Sequence, residues 1–196
     1  MKRPSSRQRR IVILTLAALA FGLAYYSGMQ HPSHTTDAAI QGIRIDPPTP
    51  VPPFDLTDQL GAPFSQNDLR DQWSLLLLDP EGSPIPSPAL VHLMQIHNRL
   101  ADRPQLQRSI HFIYLPRWKE AALSQEIDRL GSHLTGLSGD PEVVDEIFRQ
   151  FGVDTNGPSG LFFLVGPDQR MHALFTQDED AATIAQDLTS LIDVIP

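Results

Sequence analysis

The chain has 196 residues, is 41% hydrophobic and contains no cysteine, and its formal charge is -8. The missing thiols exclude disulfides, thiol redox catalysis, thiolate metal ligands and a lipid-modified N-terminal cysteine. Lys2, Arg3, Arg7, Arg9 and Arg10 hold five positive charges in the first ten residues, so the rest stands at -13, a poor partner for nucleic acid or anionic lipid.

Residues 1–10 read as a cytoplasmic basic segment. Ile11 to Met29 follows as 19 residues without a charge, the lower end of what crosses a bilayer as a helix. The arginines before it keep the N-terminus inside, and Tyr25 and Tyr26 suit an interfacial belt. Ala20-Phe21-Gly22 offers a competing signal-cleavage site. Either reading exports the domain, in a bacterium to the periplasm, and the anchor reading places it on the inner membrane. Residues 30–53 are polar and then proline-dense, with Pro47, Pro48, Pro50, Pro52 and Pro53, and read as an extended linker rising about 3.1 Å per residue. Met29, His31 and His34 are the weak candidates for a soft-metal site there, though histidines in a tether are usually only solvated.

The folded domain spans 54–196. Phe54 to Thr57 and the segment resuming at Phe64 predict an opening β-hairpin around Gly61, and Ser65 to Leu69 a short helical turn. Leu75 to Leu78 fits neither amphipathic period, so it reads as a strand covered on both faces. Ser87 and Pro88 read as N-cap and first residue of a helix to about Ala101. A second buried strand is predicted at Ile110–Leu115, a helix at Lys119–Leu130 and a short strand at Leu134–Leu137. Asp140, Pro141 and Glu142 open a further helix that Gly152 ends. Leu161–Val165 and Met171–Phe175 form a hairpin about Gly166-Pro167-Asp168-Gln169, and a last helix covers about Asp180–Asp193. This order gives an α/β class with a thioredoxin-like fold.

Chemistry in such folds sits in the loop after a central strand. Here that loop carries Asp79, Glu81, Ser83 and Ser87. The serines lack a base and an orienting group, so turn formation and helix capping are their expected roles. Asp79 and Glu81 offer hard ligands or a base, against the plainer reading of a solvated turn. His92 and His97 lie five apart, about 140° round a helix axis, a poor geometry for one metal. Trp118 reads as packing rather than a partner anchor.

Phe54-Asp55-Leu56-Thr57-Asp58-Gln59, Asp68-Leu69-Arg70 with Trp73, Gly136 to Glu142 followed by Phe151-Gly152-Val153, and Phe163 to Arg170 together resemble the Sco (SenC) family. Its members are membrane-tethered thioredoxin-like domains that deliver copper to the copper centre of cytochrome c oxidase. The resemblance covers most of Pro53 to Ile192. The family binds copper through two cysteines three residues apart, each followed by proline, and a histidine shortly before the late hairpin. Ser83-Pro84 and Ser87-Pro88 keep that spacing and both prolines, while the histidine position falls on Pro158. Hydroxyls are hard, weak donors, so no copper is expected at this pocket, no other cofactor is called for, and the family's thiol chemistry is lost. Pro116-Arg117-Trp118-Lys119 also departs from an acidic segment of the family. The resemblance implies a non-enzymatic accessory protein of oxidase assembly with a protein partner. The alternatives are a copper chaperone with ligands moved to Met29, His31 and His34, and a thioredoxin-like reductase or peroxidase, which has no thiol to react.

Overall fold

The computed structural model describes residues 40–81, 86–117, 123–131, 133–155 and 160–194. Among these, eight strands form one sheet: β1 (Ile43–Pro50), β2 (Asp55–Asp58), β3 (Pro63–Ser65), β4 (Trp73–Asp79), β5 (Ile110–Pro116), β6 (Leu134–Ser138), β7 (Leu161–Val165) and β8 (Arg170–Thr176). Their order is β1-β8-β7-β4-β5-β6-β2-β3. Strands β4, β5 and β6 run parallel, and every other pairing is antiparallel.

The leucine run explains why β4 is central. All seven residues of β4 are buried, and the alternation of a strand sends them to opposite faces. Leu75 and Leu77 join Trp73 in one core cluster, while Leu76 and Leu78 join the other. The first cluster is closed by α1 (Pro88–Arg99), α3 (Leu123–Leu130) and α5 (Ala181–Val194) through Leu90, Leu93, Ile127, Ile184 and Leu188. The second is closed by α4 (Pro141–Gln150), through Val144, Ile147 and Phe148, and by the hairpin residues Leu56 and Phe64. A short helix, α2 (Pro104–Ser109), lies between α1 and β5 and was not expected. Six residues opened by a proline give too short a period to stand out.

Two expectations about element ends need correction. Asp140 does occupy the N-cap of α4, but its side chain makes no capping hydrogen bond. The proline-rich segment is not tether throughout, because β1 takes Ile43–Pro50 out of the predicted linker and pairs it with β8. Proline is tolerated there because β1 is an edge strand and its register shifts between Arg44 and Thr49. The backbone N–H groups of Gln41 and Gly42 donate to Asp187 Oδ2 at 2.7 and 3.0 Å, and Asp187 on α5 is buried. Arg170 Nη1 donates to the Pro48 carbonyl at 2.8 Å.

A chain shortened to begin at Phe54 is therefore expected to lose about 3 kcal/mol or more, since it exposes β8 and removes both donors to a buried carboxyl. Urea unfolding checks this, and an unchanged midpoint would return residues 40–53 to the tether.

Candidate functional site

The site candidates converge where β4 ends and α1 begins. Residues 75, 77 and 79 face the same side of the sheet, so the side chain that follows Leu77 into the interior is Asp79, which is fully buried. This corrects the expectation of a solvated turn, which fits only the exposed Glu81. Tyr114, opposite Leu77 on β5 and also fully buried, donates from its hydroxyl to Asp79 Oδ2 at 3.1 Å.

Ser87 completes the cluster. Its backbone is extended (φ -70°, ψ 158°), as an N-cap requires, and Pro88 supplies the first helical residue. Its Oγ accepts from the Leu90 N–H at 3.1 Å and donates to Asp79 Oδ2 at 2.5 Å. The same Oγ lies 3.4 Å from the Tyr114 hydroxyl. The predicted cap is present, and the hydroxyl also ties α1 to β4. Gly160, just before β7, closes on the same helix: its φ is +67°, and a Cβ there would come 2.7 Å from the Ala89 Cβ. Only glycine fits both constraints.

Arg117 borders the cluster. Its N–H donates to the Asp79 carbonyl at 2.9 Å, and its guanidinium holds Asp145 of α4 with Nε to Oδ1 at 2.8 Å and Nη2 to Oδ2 at 3.3 Å. This bond keeps the Asp145 carboxyl below the usual carboxylate range. In the sequence Arg117 stands out only through the resemblance, as part of a segment that departs from the family's acidic one. Its partner lies 28 residues away, and no spacing rule links the two.

Ser83, Pro158 and Trp118, like Met29, His31 and His34, lie outside the described residues, as does the predicted anchor Ile11–Met29. Among the described residues no helix is long and apolar enough to cross a membrane, and no three His, Asp or Glu side chains are grouped to hold a metal.

His92 and His97 go separate ways. His92 tilts against Phe162 with ring centres 5.6 Å apart, and His97 stacks on His133 at 3.9 Å. Burial lowers the proton affinity of His92, His97, His111 and His133 below the ordinary value of 6.5, and the neighbouring His133 further lowers that of His97. The unfolded chain therefore takes up protons first as pH falls. The stability held by these neutral rings is fully present above about pH 6.5 and is lost as pH drops through the lowered folded values. Urea midpoints are expected to be lower at pH 5 than at pH 7.5, with a smaller drop in His97→Gln/His133→Gln. An equal drop in that variant would assign the effect to other groups.

The family model described as SCO1/SenC matches residues 44–193, three quarters of the chain and all of the site. The chain belongs to the SCO1/SenC family. Among solved structures, yeast Sco1 with copper bound is 17% identical with a TM-score of 0.62, over 76% of this chain and 96% of that one. Apo Sco1 from Thermus thermophilus is 23% identical with a TM-score of 0.60, over 79% and 96%. BsSco, whose structure carries a disulfide switch and whose family is described as cytochrome c oxidase assembly proteins, is 18% identical with a TM-score of 0.58, over 76% and 96%. No curated protein matches the chain. The fold is thus the mixed α/β, thioredoxin-like fold that the sequence predicted, and the proline-rich stretch belongs inside the family's domain.

The donor set does not suit a copper cargo. Ser87 offers only a hydroxyl, already engaged by the Leu90 N–H and the Asp79 carboxyl. The neighbouring donors, Asp79 and Tyr114, are oxygens. Copper in its soft states favours thiolate, thioether and imidazole, and a chain without cysteine offers no thiolate.

Proposed function

We propose that this Sco-family protein serves cytochrome c oxidase assembly as an accessory factor that binds another assembly protein and does not carry copper in the family pocket. In this reading the chain is not an enzyme. Ile11–Met29 anchors it in the inner membrane and the domain lies in the periplasm. One observation carries the proposal: the Ser87 hydroxyl, which the resemblance aligns with a family ligand, is committed to capping α1 and to the buried Asp79 carboxyl. With its proton given to Asp79 and one of its two lone pairs to the Leu90 N–H, the hydroxyl keeps a single lone pair on a hard, neutral oxygen, a weak donor to copper.

The test separates assembly from delivery. Cells lacking the protein are expected to contain less active oxidase in their membranes, and added copper does not restore it, because mass action bypasses a missing carrier but not a missing binding partner. Restoration by copper alone would overturn the accessory reading in favour of delivery. Loss of copper binding on deleting Met29–His34 would then locate the ligands.

A further inference from the structure

At the far end of the sheet from Ser87, about 20 Å along β4, a cavity of about 500 Å³ opens among the starts of β4 and β5, the end of α1, helix α2 and the turn before β6. Gln72, His97, Gln107, Arg108, His111 and His133 supply its polar lining, which includes no carboxyl group. In a chain with an acidic balance, a pocket lined by an arginine and by no described carboxyl group is a local reversal of charge, which protons on the imidazoles would deepen. It plays no part in the reading of the serine loop, and its proposal stands independently of that reading.

The roles of the side chains can be separated. The Gln72 amide nitrogen donates to the Asp68 carbonyl at 3.0 Å and lies 3.3 Å from His111 Nδ1. Nδ1 is therefore the acceptor, and Nε2–H donates to Thr135 Oγ1 at 2.7 Å. Both nitrogens of His111 are occupied, which fixes it as a neutral wall of the cavity. His97 and His133 differ: Nδ1 of the first and Nε2 of the second are buried without a partner. Their rings are nearly parallel, 10° apart in plane with centres 3.9 Å apart. Lone pairs of stacked rings run side by side and do not converge on one cation, and Arg108 would repel it. Arg108 is exposed and forms no ion pair within the described residues.

What the cavity lacks is negative charge. Among the described residues the groups facing the stacked pair are Asn98 of α1, Gln107 and Arg108 of α2, His111 of β5 and Gln72, and no carboxyl group acts on any of the three imidazoles. A proton placed on His97 or His133 therefore has no counter-ion among the described residues. We propose that this cavity is a binding site for a small oxyanion of the sulfate, phosphate or carboxylate class, held by Arg108 with His97 and His133 and occupied at mildly acidic pH. By linkage, the anion and the imidazole protons each strengthen the binding of the other.

Sulfate is the probe, because it stays a dianion across the pH range of interest. With histidine ring resonances of the full chain followed by NMR, and sulfate exchanged for chloride at constant ionic strength, His97 and His133 are expected to shift saturably at pH 5.5. Binding should be weaker by about tenfold at pH 7.5. Arg108→Gln, a change at an exposed position, should abolish the saturable shift with the fold intact, and His97→Gln/His133→Gln should remove the pH dependence. Absence of a saturable shift at pH 5.5, equal affinity at both pH values, or full binding by Arg108→Gln would each overturn the proposal. Tighter binding of zinc at pH 7.5 than of sulfate at pH 5.5 would do the same, by making the pair a cation site.

Discussion

Asp79→Ala is expected to destabilise the domain by about 3 kcal/mol, and Ser87→Ala by about 2 kcal/mol. Removing Asp79 takes the acceptor from two buried hydroxyls, those of Ser87 and Tyr114. Removing Ser87 costs α1 its cap and takes a donor from a buried carboxyl. The two share one hydrogen bond, so the double variant should fall short of the sum by about 1 kcal/mol or more. Urea midpoints with unchanged slopes measure all three. If both single variants were as stable as the parent, the cluster would not be the structural tie described here, and Ser87 would be free for another role.

The second large effect is a gain. The variant Ser83→Cys/Ser87→Cys/Pro158→His restores, at positions matched by sequence to the family motif, two thiols and an imidazole. It is expected to bind copper stoichiometrically, and the parent to bind none in this pocket. The fold supports this, because the loop is still delivered by a buried strand and received by a capped helix. Asp79 works against it. A carboxyl within hydrogen-bond reach of position 87 disfavours a thiolate there, so adding Asp79→Ala should tighten copper binding by about tenfold for each pKa unit the thiol recovers. Competition with a chelator of known affinity measures both steps. A triple variant that fails to bind copper while folding normally would mean that the pocket has changed in more than its donor atoms.

The sequence made the central strand plain, because four leucines in a row satisfy neither amphipathic period and leave burial on both faces as the remaining option. Ser87 was equally readable, since a serine before proline before an apolar run is a cap by local chemistry alone. Asp79 was misjudged because its role comes from parity: it is two residues beyond Leu77 on the same face, and Tyr114 meets it from another strand. Strand β1 was hidden by its prolines, which suit a tether and an irregular edge strand alike. The stack of His97 on His133 joins residues 36 apart through the packing of α1 against the turn before β6. No periodicity encodes such a contact, so the anion cavity was visible only in three dimensions.

The pocket at Ser83 and Ser87, where the resemblance places the family's copper, is expected to be no copper site in this chain. Titration of the full chain with copper(I) against a competing chelator tests it most directly. The expected result is no copper retained in the pocket, with Ser83→Ala/Ser87→Ala leaving the titration unchanged. Tight stoichiometric binding that disappears in that double variant would contradict it.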